Sequence, residues 1–155
     1  MKTRVMTITI LVLLLALSAC GGAGPPGEPL TKAEDAVGVW RRTERWTVLR
    51  GGFPEMYMQV RADGTMGFSQ AADTDYEWMS LDFAFEGTGF SITETGFRGF
   101  GGEAHDMSCT GGSGAPSGVY EVQLLANGNL EFVNAQDACQ MRRETFTGTE
   151  WAPVQ

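Results

Sequence analysis

The chain has one histidine, three cysteines and few basic residues, with 11 Lys+Arg against 19 Asp+Glu over 155 residues. Each scarcity removes a class of function. A single imidazole starves most acid–base and zinc chemistry, which draws on His as general base or ligand. A formal net charge of −8 leaves no basic face for phosphates, so nucleic acid is not an expected partner. No C-x-x-C pair is present, which removes the usual redox and zinc signatures. What is there is ordinary for a folded protein: 43% hydrophobic and 10% aromatic residues, with length for one domain and at most two.

Lys2 and Arg4 precede an apolar run over residues 5–17. A positive end followed by a short apolar stretch reads as a secretory signal, and the run falls short of the roughly 20 residues that span a bilayer. It ends in Leu17-Ser18-Ala19-Cys20, followed by Gly21-Gly22. That order resembles the bacterial lipobox. The resemblance implies cleavage after Ala19 and a diacylglyceryl thioether on Cys20, hence a protein held in the extracytoplasmic space at the cell membrane or outer membrane. Two or more acyl chains hold a protein stably, at about 0.8 kcal/mol per buried methylene. Lys2 and Arg4 would leave with the signal and no acid would, so the mature chain would be more acidic still. The expected organisation is a signal peptide at 1–19, a Gly/Pro-rich tether at 20–30 and one domain at 31–155.

Beyond the tether, short alternating stretches are separated by Gly-containing turns, the pattern of an antiparallel all-β barrel or sandwich. Residues 56–60 and 65–69 flank Ala62-Asp63-Gly64, so Met58 and Val60 should face Met66 and Phe68. Leu81, Phe83 and Phe85 alternate with polar or small residues, turn at residues 86–89, and return through Phe90 and Ile92. Tyr120, Val122 and Leu124 do the same around Asn127-Gly128, returning through Leu130 and Phe132. Residues 37–46 read as an opening strand and 142–147 as a closing one. About eight strands result, the number at which a barrel interior just holds side chains or one small ligand. One short helical turn is expected at 31–36, where Thr31 and Glu34 have capping-box spacing. The Gly-rich residues 99–118 read as a long loop or a ragged strand pair.

With Cys20 assigned to lipid, Cys109 and Cys139 remain, and an oxidising compartment should join them. The closed loop, about 31 residues, corresponds to roughly 3–4 kcal/mol in the chain-entropy account.

Several short segments together resemble small bacterial lipocalin-like domains. They are Gly38-Val39-Trp40 after a helical turn, the Asp-Gly hairpin, Gly118-Val119-Tyr120, residues 127–130, Asp137-Ala138-Cys139 with Arg142, and residues 147–151. The resemblance covers residues 36–152 and is poor over 70–105. It implies an up-and-down barrel in which the D-x-C-x-x-R segment pairs with an earlier Cys, here Cys109. It also implies that Trp40 seals one barrel end against Arg142, with Arg143 the second candidate.

The remaining chemistry candidates are weak. Glu103, His105 and Asp106 form a polar loop rather than a metal site, and Ser108 near His105 has no nucleophile context. Asp73 and Asp75 read as a solvated turn. The run at 96–102 lacks the Lys and the following helix of a phosphate loop, and its Phe97, Arg98 and Phe100 could form an aromatic lip. No catalytic residue, metal or cofactor is expected. The leading reading is non-enzymatic binding of an apolar or amphipathic ligand lined by Met58, Met66, Phe68, Phe83, Phe85 and Phe90; the alternative is a fully packed barrel that serves as an envelope structural or protein-interaction module. A cavity, or its absence, separates them.

Overall fold

The computed structural model of the chain describes residues 27–45, 55–73, 77–98, 109 and 114–155. Within them, strands run in the order β1 (Glu28–Pro29), β2 (Gly38–Arg42), β3 (Tyr57–Val60), β4 (Thr65–Ser69), β5 (Met79–Glu86), β6 (Gly89–Phe97), β7 (Ser117–Leu124), β8 (Leu130–Gln136) and β9 (Glu150–Pro153). A 3-10 turn, Ala33–Ala36, precedes β2, and helix α1 (Gln140–Phe146) joins β8 to β9. From β2 to β9 each strand is antiparallel to the next, and β9 pairs back onto β2. The result is a closed, eight-stranded, up-and-down barrel, the fold class that the alternation predicts.

The local reasons are those visible in the residues. Met58 stands opposite Phe68 and Val60 opposite Met66 across the Asp-Gly hairpin. Gly64 (φ +85) and Gly128 (φ +83) take the left-handed backbone that their turns demand. Strand β5 buries Met79, Leu81 and Phe83 and exposes Asp82 and Ala84, so one face is core and the other is solvent.

Four expectations meet a different outcome. Residues 142–147 do not close the barrel; they lie almost wholly in α1, and β9 closes it instead. Period 2 would have placed Glu144 inside with Arg142 and Phe146. The helix instead buries Arg142, Thr145 and Phe146, and the Thr145 hydroxyl donates to Met141 O at 2.8 Å. The opening strand is shorter than 37–46, ending at Arg42, whose guanidinium turns to donate to the Thr145 and Glu144 carbonyls at the end of α1. Finally, the sheet begins inside the expected tether: Glu28 and Pro29 pair with Leu124 and Gln123, and Leu30 is buried. Pairing of β6 with β7 stops at Gly89–Glu121, which leaves an open edge on β7 that β1 covers. No capping box forms at the 3-10 turn, where Lys32 is the N-cap without a side-chain bond.

Candidate functional site

The barrel has two ends of different construction. Strand β2 starts at one end, beside the 3-10 turn and the tight turns after β3, β5 and β7. Helix α1 follows β8 and leads into β9, which is antiparallel to β2, so α1 lies at the other end.

At the turn end the closure is apolar and local. Ala36 and Leu30 are buried, and the Trp40 indole N–H donates to Ala36 O at 2.8 Å. This bond joins the 3-10 turn to the first barrel strand across four residues. The indole thus buries its rings without leaving its one donor unsatisfied.

At the α1 end a helix plugs the barrel. The Phe146 ring lies 5.1 Å from Phe68 on β4, 4.7 Å from Phe132 on β8 and 5.2 Å from Tyr120 on β7. Strands β4 and β8 are four apart in the eight-stranded ring, so a single side chain spans opposite walls. Trp151 and Trp78 flank Phe68 at 5.7 and 5.5 Å. Beside the plug lies a buried charge cluster. Asp137 accepts from the Tyr120 hydroxyl, from Arg142 Nε at 2.6 Å and Nη2 at 2.8 Å, and from Cys139 N at 2.8 Å. Arg142 also donates to the carbonyls of Pro116 (2.9 Å) and Ala115 (3.1 Å), while Arg143 reaches Asp137 O at 2.6 Å. The pair is wholly buried, and its hydrogen bonds are what make that tolerable. Burial works against the Arg142 charge, yet the hydrogen bond and charge of Asp137 hold its pKa above the ordinary value. Burial, then the Asp137 hydrogen bond and charge, push the Tyr120 phenol well up. A Cβ on Gly118 would collide with the Asp137 carboxylate, so glycine is required where β7 passes the cluster.

The disulfide Cys109–Cys139 is formed, with Cα atoms 5.5 Å apart, and Cys109 N donates to the buried Glu94 carboxylate at 2.9 Å. Covalent and ionic links therefore converge on the segment that starts α1.

No protein-family model, curated protein or solved structure matches the chain. Function has to be read from its own side chains. Of the six residues expected to line a ligand site, Met58, Met66, Phe68, Phe83 and Phe90 are buried and Phe85 is half-buried. Their neighbours are each other and the plug: Phe90 lies 5.1 Å from Phe83, 4.9 Å from Phe85 and 5.6 Å from Phe132. The structure does not bring Trp40 and Arg142 together, because the indole is bound at the turn end and the guanidinium at the α1 end. Arg142 comes from a helix rather than from the last strand, and that moves its charge to the opposite mouth.

Cys20, the expected signal at 1–19, Phe100, Ser108, Asp75 and the Glu103–His105–Asp106 group lie outside the described residues. Asp73 is exposed, Arg98 is exposed, and Phe97 lies edge-on to Trp78 at 5.9 Å. Among the described residues no cluster of His, Cys, Asp or Glu could hold a metal ion, and no helix is long and apolar enough to cross a membrane. On the outer wall where β2, β8 and β9 meet, a polar depression of about 470 Å³ is lined by Thr43, Glu44, Glu131, Gly148, Thr149 and Glu150. Glu150 accepts from Asn129 (2.6 Å) and Asn127 (2.9 Å), and these bonds hold its pKa below the ordinary value.

Tyr120, Asp137 and Phe146 were not read as a unit from the sequence. The D-x-C-x-x-R spacing was a usable signal for two of the partners, since five residues across a helix start can bring a carboxylate and a guanidinium together. The participation of Tyr120 is long-range and had no local sign.

Proposed function

We propose that the chain is a lipid-anchored, extracytoplasmic, lipocalin-like module that works without catalysis, as a structural or protein-interaction element of the cell envelope. The observation that carries this reading is Phe146, which reaches from the Phe68 wall to the Phe132 wall. An apolar ligand lodged between those walls would have to displace it. The continuous ring contacts on either side leave the interior occupied by the protein's own aromatic groups, and close packing of that kind is what a small barrel needs for stability. On this reading the acidic chain has its outer surface to offer, and a basic partner surface complements it.

Native mass spectrometry of residues 27–155, which hold every strand of the barrel, tests the packed reading. The expected result is the bare polypeptide mass with the disulfide formed. A co-purified apolar molecule that is lost on denaturation would instead support the ligand reading. The anchor is tested separately: Cys20→Ser should release the exported chain from membranes and leave its unfolding midpoint unchanged.

A further inference from the structure

We infer that the tight-turn end of the barrel faces the membrane and the α1 end faces the aqueous compartment, an inference that rests on the lipid anchor at Cys20. The point at which the chain leaves the barrel carries the argument. Strand β1 runs antiparallel to β7, with Glu28 beside Leu124 and Pro29 beside Gln123, and Leu30 N donates to Val122 O at 2.8 Å. Read backwards, the chain therefore runs down β7 and out past the β7–β8 turn. Gly27 holds it there, since a Cβ at that position would stand 2.9 Å from the Gln123 Cβ, the Leu124 carbonyl oxygen and the Leu125 side chain. The exit is thus part of the folded sheet, on the rim formed by the tight turns.

Seven residues, 20–26, separate the lipidated position from that exit. At full extension they reach roughly 23–25 Å, and a Gly-rich chain of that length spans about 13–16 Å on average. Eight residues of β7 extend about 26 Å along the strand, or about 20 Å along a barrel axis to which strands tilt by about 40°. With the turn end down, the exit lies close to the lipid and well within that reach. With the α1 end down, the exit would sit a whole barrel height above the lipid, and the tether would have to be stretched nearly to its limit. Chain entropy opposes that. The plug helix, the Asp137–Arg142 cluster and the disulfide are accordingly carried on the side that a partner in solution meets.

The test uses the full lipidated chain in phosphatidylcholine vesicles, whose neutral surface leaves the tether as the orienting element. A donor dye is placed at Thr88→Cys, exposed in the β5–β6 turn, or at Gln70→Cys, exposed beyond β4 at the other end. Energy transfer to an acceptor on the lipid headgroups is then measured. The expected result is clearly higher transfer from position 88 than from 70. Equal or reversed transfer would overturn the inference. Vesicle flotation of the same samples reads the anchor independently, and protein that fails to float would remove the anchor and the inference with it. Inserting Gly-Ser repeats between Gly24 and Pro25 should shrink the difference. A difference that persists would place its cause in the domain surface and overturn the role given to the tether.

Discussion

The two ends of this barrel are closed by opposite strategies. The turn end uses chiefly contacts that are near in sequence, with β1 laid on β7 as its one long-range addition: a 3-10 turn, an indole bonded four residues back, and glycine turns with their own backbone bonds. The α1 end is assembled from distant pieces, with Phe146 meeting Phe68, Tyr120 meeting Asp137, and Cys109 meeting Cys139. Local closure is available to any stretch with the right residues. Long-range closure exists only once the barrel has brought its walls together, and it can therefore be removed one link at a time.

The sharpest test of that contrast compares Trp40→Ala with Phe146→Ala. Each should cost roughly 3–5 kcal/mol, measured by urea unfolding, since each removes a large buried side chain. They should differ in consequence. Phe146→Ala separates two opposite walls and should create uptake of a fluorescent apolar dye that the wild type lacks, whereas Trp40→Ala should open no such space. Equal dye uptake by both variants would dissolve the distinction between plug and cap.

Next in size is the covalent link. Replacing Cys109 and Cys139 together by Ser should cost about 3–4 kcal/mol for a closed loop of about 31 residues. It should leave the Trp40 end unchanged, as judged by hydrogen exchange of the β2–β3 amides. Loss of protection there would show that the ends are coupled rather than independent.

The smallest effect belongs to Tyr120→Phe, at about 1.5–3 kcal/mol for a hydrogen bond to a charged group. Its pH dependence distinguishes it from packing changes. The native phenol pKa is raised by burial and by Asp137, whereas in the unfolded chain it ionises near its ordinary value of 10.0. The stability it contributes is present below about pH 10 and is lost as the pH climbs above that value, because only the unfolded state then gains from releasing the proton. Urea midpoints between about pH 8 and 11 should fall for the wild type, and fall less steeply for Tyr120→Phe. Parallel curves would mean that Tyr120 carries no such linkage.

How much could be read in advance follows the same division. Met58, Phe68, Leu81, Phe83, Tyr120 and Val122 alternate in strands whose turns are marked by Asp-Gly, Glu-Gly and Asn-Gly, so the wall of the barrel is legible. The pairing of Cys109 with Cys139 is legible on the expectation that the chain is exported and that Cys20 carries lipid, which leaves each a single partner. Residues 142–147 fit a strand as well as a helix, because Arg142, Glu144 and Phe146 keep a period of 2 over so few residues, and the helix is decided by packing. The Phe and Met residues offered as a pocket lining are apolar positions of the barrel interior, and alternation alone does not separate a lining from a core.

By itself the sequence determined the hairpins β3–β4, β5–β6 and β7–β8: turn chemistry and side-chain alternation act between neighbours and need no knowledge of the rest of the chain. Tertiary structure decided what the sheet encloses. Whether Phe146 enters the interior, whether Tyr120 and Cys109 reach the segment that starts α1, and on which rim the chain departs all depend on groups far apart in sequence, which meet only when the barrel closes.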